Sequence, residues 1–194
     1  MQISFYFDQS RCICCHTCNI ACKDWHNIQD VKVNWRRITT IEEGVFPNIS
    51  VASLSLSCCH CEEPACASFC PVGAITKGQE NGVILVDTDT CLGKDHCEVC
   101  LQACPYDVPQ FGAEENSKMQ KCNLCLDRTA EGKNPACVDA CPVRALDAGP
   151  MEDLKAKYGD TKDGIGFSYD TALRPSILIK PRKAEKEGEN KDFI

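Results

Sequence analysis

The chain has 194 residues, a formal net charge of −7 and 18 cysteines, a cysteine content that indicates either a disulfide scaffold or a metal protein. Its N-terminus lacks the basic leader and apolar core of a secretory signal, so we expect metal-binding thiols rather than disulfides. The basic residues are scattered, and no apolar stretch reaches the roughly 20 residues of a membrane helix. We therefore predict neither a nucleic-acid surface nor a transmembrane segment.

The first predicted elements are a strand and a cysteine motif. Residues 3–7 (ISFYF) have the aromatic and β-branched composition of a strand, and residues 49–57 are predicted to form another. Between them, four cysteines have the C-x2-C-x2-C-x3-C spacing of bacterial iron–sulfur proteins, whose fourth cysteine binds the neighbouring cluster of a pair. These four are Cys12, Cys15, Cys18 and Cys22.

Three further motifs repeat this arrangement, and each of them ends in Cys-Pro. The second motif has spacings of two, four and three residues, and the fourth has spacings of two, eleven and three. A strand is predicted at residues 82–87 (GVILVD), after a turn rich in glycine and polar residues. The second motif comprises Cys58, Cys61, Cys66 and Cys70, and the fourth comprises Cys122, Cys125, Cys137 and Cys141.

The third motif has an irregular start. Counting back from its Cys-Pro pair places Lys94 where the first cysteine is expected, and lysine is a poor cluster ligand. Cys91 lies three residues further upstream, so we predict that a looped-out segment containing Gly93 returns Cys91 to the first position. The alternative is a three-iron cluster with fewer thiolates, or ligation by Asp95 or His96. With the displaced first ligand, the third motif comprises Cys91, Cys97, Cys100 and Cys104.

The spacing also predicts which cysteines share a cluster. Cysteines two residues apart on a tight loop direct several thiolates to one cluster, while the last cysteine is predicted to begin a short helix and to reach the paired cluster. The second motif is predicted to pair with the third, which leaves the first to pair with the fourth. The predicted ligand sets, numbered 1 to 4 in this order, are Cys12, Cys15, Cys18 and Cys141; Cys122, Cys125, Cys137 and Cys22; Cys58, Cys61, Cys66 and Cys104; and Cys91, Cys97, Cys100 and Cys70.

This pairing predicts an α+β fold made of two bacterial-ferredoxin-like modules, the inner one inserted in the outer. Short strands and short helices are expected to alternate with long cluster-binding loops. The outer module is predicted at residues 1–55 and 112–149, and the inner module at residues 56–111. Residues 150–194 are predicted to form a C-terminal helix, which begins at Pro150 and is followed by a strand and a charged tail.

Zinc is the alternative metal. The fourth motif alone offers four thiolates that suit a tetrahedral zinc site. The recurrence of the same spacing in three other motifs favours iron and sulfide instead. We therefore predict four [4Fe–4S] clusters.

A few other residues near the motifs are open to two interpretations. Cys14 and Cys59 are not assigned to a set, and we expect them to be small buried hydrophobic side chains. Arg36 and Arg37 are expected either to pair with cluster charge or a partner surface, or to lie on a solvated strand edge. The histidines are expected to be structural, three of them in motif loops and one at the end of a helix: His16, His60, His96 and His26.

The motifs and several phrases resemble one known family. The phrases are ACKDW, NWRRI, SLSCCHCEEPAC, ACPYDVPQFG, KCNLCLDR, AEGKNPACVDACPVRALDAGP and RPSILIKPR. With them, the chain resembles the four-cluster electron-transfer (beta) subunits of the dimethyl sulfoxide reductase family of molybdenum and tungsten enzymes. It departs from the family pattern at Lys94, Cys14 and Cys59, and it lacks the membrane-anchoring helix of some relatives.

The resemblance implies a relay rather than a catalyst. We expect a non-catalytic electron-transfer subunit with no catalytic residues, which passes single electrons between a large pterin-metal catalytic subunit and a second redox partner, either a membrane subunit or a flavin or other soluble subunit. The alternative is an autonomous soluble polyferredoxin that shuttles electrons among several enzymes. We expect a cytoplasmic location, with export of the folded chain alongside a partner subunit as the alternative.

Overall fold

Short helices and strands separate long cysteine-bearing loops in residues 1–182, which are described by a computed structural model. The fold of this part is α+β, as predicted. Its strands are β1 Ile3–Asp8, β2 Arg37–Val45, β3 Asn48–Leu56, β4 Ile75–Lys77, β5 Ile84–Val86, β6 Leu146–Pro150 and β7 Ile177–Lys180. Its helices are α1 Thr17–Trp25, α2 Ala65–Ser68, α3 Val99–Ala103, α4 Leu126–Ala130, α5 Ala136–Asp139 and α6 Met151–Tyr158.

Strand β1 forms the centre of a three-stranded sheet with the order β6-β1-β7. β6 is antiparallel to β1, with Ile3 opposite Pro150, and β7 is parallel to β1. The apolar side chains of β1 are buried, and Phe7 is 1% exposed. The predicted N-terminal strand is therefore confirmed. Because β6 follows the fourth motif, the sheet places the residues just after Cys141 next to those just before Cys12.

Strands β2 and β3 form a long antiparallel hairpin. Arg37 is opposite Leu56 at one end, and Val45 is opposite Asn48 at the turn. The end near Leu56 packs into the core, whereas the turn is exposed and Phe46 is 83% exposed. The sequence predicts β3 correctly. It does not predict β2, because the run TTIEE has no continuous apolar face on which a strand pattern could be recognised.

A second, shorter hairpin lies between the second and third motifs. β4 and β5 are antiparallel, with Ile75 opposite Val86, which confirms the strand predicted at residues 82–87. Helix α2 of the second motif packs against α3 of the third, and α1 of the first motif packs against α5 of the fourth. Each contact joins two motifs that are distant in sequence.

The motif helices contain the third cysteine and do not begin at the fourth, so that part of the prediction is wrong. Helices α2, α3 and α5 all end before the fourth cysteine. A proline follows the fourth cysteine in these three motifs, and proline disfavours helical backbone at the residue before it. No proline follows Cys22, and α1 continues through it to Trp25.

The C-terminal helix is confirmed. α6 begins after Pro150 and ends before Gly159, with acidic residues in its first turn and lysines in its last, which suits the helix dipole. The ring of Tyr158 stacks on that of Tyr6, with 3.6 Å between the centroids. β7 is the predicted C-terminal strand. The predicted charged tail falls on residues 183–194, which lie outside the described residues.

The main core combines apolar side chains with thiols. Phe5, Phe7, Leu124 and Ile179 pack in one cluster of buried residues, and this cluster also contains cysteines of the first, second and fourth motifs. The cysteine loops are thus part of the packed interior. Among residues 1–182, no helix is both long and apolar enough to cross a membrane.

Two phenylalanines, one in the packed core and one at the exposed turn of the β2–β3 hairpin, provide a test of this packing. Phe7→Ala is expected to destabilise the protein by about 3–5 kcal/mol, because it leaves a cavity in the core. Phe46→Ala removes the same side chain from the exposed hairpin turn and is expected to change stability by less than about 0.5 kcal/mol. Anaerobic thermal unfolding of the two variants would measure the difference. Equal shifts of the midpoint would contradict the description of the core.

Candidate functional site

The first motif lies beside the last cysteine of the fourth. Burial raises the pKa of the Cys12 thiol, and the nearby thiols of Cys14 and Cys141 raise it further. Burial likewise raises the pKa of Cys18, which is 8% exposed. Cys15 is exposed, and its pKa is lowered by hydrogen bonds from the hydroxyl and the backbone N–H of the residue two positions later. The thiols predicted as set 1 thus come from two motifs that are far apart in the sequence.

The fourth motif surrounds Cys22 of the first. This thiol is buried on α1, which packs against α5. Burial raises the pKa of Cys22, and the thiols of Cys122, Cys137 and Cys125 add to the effect in that order. The fold therefore brings together the four thiols that the sequence predicts as set 2.

The second motif lies beside the last cysteine of the third. Burial raises the pKa of Cys61 to about 12, and the neighbouring thiols of Cys58, Cys104 and Cys66 contribute. Burial also raises the pKa of Cys66 to about 12, with Cys58 the strongest thiol contribution. The thiols predicted as set 3 are therefore neighbours, although Cys104 is distant in sequence from the others.

The cysteines predicted as set 4 line one small cavity. Cys70 enters it from the second motif, and the other three thiols come from the third motif; Ile75, Phe111 and Met119 supply apolar walls. Burial raises the pKa of Cys100 to about 11, and the thiols of Cys91 and Cys97 add to this effect. Cys91 is thus grouped with the regular cysteines of its motif.

The looped-out segment, residues 93–95, and the following His96 are held against the loop around Asn116. The Asp95 carboxylate accepts the Asn116 backbone N–H at 2.8 Å, and His96 Nδ1 lies 3.2 Å from Asn116 Oδ1. Gly93 has φ +89°, and a side chain there would collide with Asn116. Both side chains named above as alternative ligands therefore have hydrogen-bonding partners in this neighbouring loop. The glycine predicted to relax the turn is needed for close packing as well as for its backbone conformation.

Backbone N–H groups in the motif loops point at cysteine sulfurs. The N–H of His60 lies 3.5 Å from Cys58 Sγ, and the N–H of Leu124 lies 3.4 Å from Cys122 Sγ. Both donor residues have left-handed backbone, with φ 45° and φ 60°. Such hydrogen bonds stabilise negative charge on sulfur, as required of cysteines that bind a metal or a cluster. The chemistry of the donor set fits anionic thiolates.

Two buried N–H groups in the same region have no acceptor within residues 1–182. His60 accepts the Ile84 N–H at Nδ1, so its proton lies on Nε2, which has no partner. The Arg36 Nε is also buried without a partner. Unsatisfied buried donors are costly. Together with the buried thiols they fit a region that also holds anionic sulfur-containing groups. Among the described residues, no group of three or more His, Cys, Asp or Glu side chains is arranged around a single metal ion.

The unassigned cysteines behave differently from each other. Cys59 is 2% exposed, as predicted for a small buried hydrophobic residue. Cys14 is only half-buried, so the prediction of burial is wrong there. Its backbone is left-handed, with φ 56°, and its thiol lies 3.1 Å from Thr40 Oγ1. The reason is that the loop turns this side chain outward to the β2–β3 hairpin.

Sequence reasoning missed the contacts of two residues, His26 and Arg37. His26 Nε2 lies 3.3 Å from Cys125 Sγ, across 99 residues of sequence, and no spacing pattern predicts this contact. Arg36 is 2% exposed, which excludes the solvated strand edge for this residue. Arg37 is half-buried and donates to the carbonyl oxygens of Tyr106 and Asp107, which follow the third motif.

Known proteins are similar to this sequence over most or all of its length. A 4Fe-4S dicluster domain family matches residues 49–151. The sequence is 43% identical over 188 residues to a chain of the anaerobic dimethyl sulfoxide reductase of Escherichia coli (strain K12), covering 93% of this protein and 89% of that one. It is 38% identical over 203 residues to the equally named chain from Haemophilus influenzae, covering 100% and 96%. It is also 36% identical over 205 residues to a subunit of the sulfite dehydrogenase of Allochromatium vinosum, covering 94% and 84%.

An α+β protein whose cysteine loops match a 4Fe-4S dicluster domain is an iron–sulfur protein of the ferredoxin-like class. Similarity of this extent shows that it belongs to the iron–sulfur beta subunits of the dimethyl sulfoxide reductase family. It is an electron-transfer subunit, and the resemblance stated from its motifs is confirmed.

Proposed function

We propose that this subunit passes single electrons through four [4Fe–4S] clusters between a molybdenum or tungsten pterin catalytic subunit and a second redox partner. One observation supports the proposal: in each of the four proposed groups, a thiol of one motif lies near a thiol of the paired motif. The proposed ligands are the sixteen cysteines of sets 1 to 4.

The side chains and backbone would act on the clusters in three ways. The thiolates would bind iron as soft anionic ligands. The N–H groups that point at Cys58, Cys122 and Cys141 would moderate the negative charge on sulfur. Burial of the loops would exclude water. When bound, a [4Fe–4S] cluster supplies a one-electron couple, and the protein would fix the position and surroundings of each couple.

Electrostatic effects between thiols of different groups support an order for the relay. Burial raises the pKa of Cys18 in set 1, and the thiol of Cys137 in set 2 adds to it. Cys58 of set 3 is likewise among the thiols that raise the pKa of buried Cys122 in set 2. Set 3 adjoins set 4 in the same way, since Cys100 is among the charges that act on Cys66. The proposed electron path therefore runs through sets 1, 2, 3 and 4 in sequence.

We also propose the nested arrangement of modules, with an outer module at 1–55 and 112–149 and an inner module at 56–111. The packing of α1 on α5 and the pairing of β1 with β6 support the outer module. The packing of α2 on α3 and the β4–β5 hairpin support the inner one. Residues 150–194 would then be a C-terminal addition.

The names of relatives support the proposed partners. The relatives include a chain of dimethyl sulfoxide reductase and a subunit of sulfite dehydrogenase. A third relative is the formate dehydrogenase iron–sulfur subunit of Wolinella succinogenes, which is 36% identical over 174 residues and matches 79% of this sequence. A catalytic subunit is accordingly the first proposed partner, and a membrane or soluble subunit the second. We propose the cytoplasm as the location, where free thiols stay reduced until clusters bind.

Purification and metal analysis test the proposed function. Anaerobically purified protein is expected to contain about sixteen iron and sixteen sulfide per chain, since four four-iron clusters need that number. It is also expected to copurify with a larger subunit that holds a pterin cofactor. Stoichiometric zinc with little sulfide, or a protein that carries its clusters but purifies alone from its native cells, would contradict the proposal.

The crossing of the fourth cysteines is tested by Cys22→Ser. Because Cys22 lies among the thiols of the fourth motif, the variant is expected to disturb the set 2 cluster and to leave set 1 intact. Electron paramagnetic resonance of the reduced protein would show which signal changes, and Cys14→Ser serves as a control outside all four sets. Loss of the set 1 signal alone would refute the crossed assignment.

The first ligand of the third motif is tested by Cys91→Ser. If Cys91 completes set 4, the wild-type protein isolated without air is expected to show no stoichiometric three-iron signal in the oxidised state. The serine variant is expected to show one, because a labile iron leaves when its thiolate is lost. A three-iron signal in the wild type that the substitution leaves unchanged would instead support a motif that lost a ligand at Lys94.

A further inference from the structure

Arg36 is a charged side chain held inside the protein. It is 2% exposed and lies next to strand β2. Its Nη1 donates to Ser55 Oγ at 3.1 Å, and its Nη2 donates to Ser57 Oγ at 2.9 Å. The guanidinium also stacks over the Phe5 ring, with 4.4 Å from Cζ to the centroid. These contacts fix the position of the positive charge.

Neutral groups provide all of these contacts. No carboxylate within residues 1–182 forms an ion pair with Arg36, and its Nε has no acceptor there. Burying an unpaired cation is strongly unfavourable, and arginine does not lose its proton in proteins. A compensating negative charge is therefore required nearby.

The groups near Arg36 that can become negative are thiols of the two outer sets, which would be thiolates when they bind a cluster. Burial acts to lower the pKa of Arg36, but the charges of Cys137, Cys18, Cys122 and Cys22 act in the opposite direction and raise it overall. Cys18 belongs to set 1, and the other three belong to set 2. Ser55 connects the two features, because its hydroxyl lies 3.7 Å from Cys18 Sγ and also binds the guanidinium.

We propose that Arg36 is the buried counter-cation of the two outer clusters and that it raises their reduction potentials. The inference rests on the proposed function, because it requires clusters in sets 1 and 2. Reduction adds one electron to a cluster, and a fixed positive charge in a low-dielectric interior stabilises the more negative, reduced form. Ser55 links the guanidinium to Cys18 of set 1, and because three of the four thiols that act on Arg36 belong to set 2, we expect a larger effect on the set 2 cluster.

The direct test is the reduction potential of each cluster in Arg36→Gln. Potentiometric titration of the full complex, followed by electron paramagnetic resonance, measures the potentials separately from enzyme activity. At a fixed potential, the reduced-to-oxidised ratio of set 2 is expected to fall at least tenfold, which corresponds to about 59 mV for a one-electron couple. The same ratio is expected to fall less for the set 1 cluster and to stay unchanged for the set 4 cluster.

Two arginine variants serve as controls. Arg36→Lys keeps the positive charge. The reduced-to-oxidised ratio of the set 2 cluster is therefore expected to stay within about threefold of the wild-type ratio at the same fixed potential. Arg37→Gln removes the neighbouring charge, whose contacts are to carbonyl oxygens after the third motif, and is expected to leave sets 1 and 2 unchanged. An equal fall in the lysine and glutamine variants would show a purely structural role and overturn the proposal.

A second pair of variants keeps the arginine, in case Arg36→Gln fails to assemble. Ser57→Asp places a carboxylate next to the guanidinium and cancels its charge within an ion pair, whereas Ser57→Asn is the neutral control of the same shape. The set 2 ratio is expected to fall at least tenfold in the aspartate variant relative to the asparagine variant. Equal ratios in fully loaded proteins would overturn the inference and leave the proposed function intact. A wild-type protein without about sixteen iron atoms would instead overturn the proposed function, and this inference with it.

Discussion

The dominant physical constraint in this protein is the burial of many thiols that must carry negative charge when they bind metal. Burial raises the pKa of thiols in all three motifs that line the main core and opposes their ionisation. Metal binding has the opposite effect, because the thiolate is the ligand form and metal displaces the proton. Folding and cluster binding are therefore coupled: the core contains thiols as structural members, and its stability depends on what those thiols bind.

The rest of the fold brings distant cysteine loops together under this constraint. The β1–β6 pairing joins the strand before the first motif to the strand after the fourth, and α1 packing on α5 buries Cys22 among the thiols of the fourth motif. Hydrogen bonds at left-handed residues such as Leu124 then orient N–H groups towards sulfur. Little of this requires a large apolar core. The regular elements are short because their task is to hold the ends of loops, and the loops hold the thiols.

The sequence gives a specific prediction for the grouping of thiols but little information on the elements that support them. Cysteine spacing is a local signal, and proline after the fourth cysteine also explains why three motif helices stop early, although the spacing alone led to a wrong helix start. The β2 strand has no such signal, because most of its residues are exposed and the polar ones do not alternate regularly with apolar ones. The contact between His26 and Cys125 depends on how α1 packs against the fourth motif, and the outward turn of Cys14 depends on the neighbouring hairpin. Local sequence patterns do not predict such tertiary contacts.

Arg36 and Arg37 lie at the start of the β2–β3 hairpin and contact different parts of the fold. Arg37 is the first residue of β2 and Arg36 lies in the bend before it, and the two adjacent side chains enter different environments. Arg36 donates to the Ser55 hydroxyl, which lies 3.7 Å from Cys18 Sγ, whereas Arg37 binds the carbonyl oxygens of Tyr106 and Asp107, next to the last cysteine of the third motif. These two residues therefore place a positive charge near Cys18 of the first motif and anchor the loop that follows Cys104 of the third motif. In the proposed nested arrangement, this dipeptide would connect the outer module to the inner one, at the step where the proposed electron path passes between them.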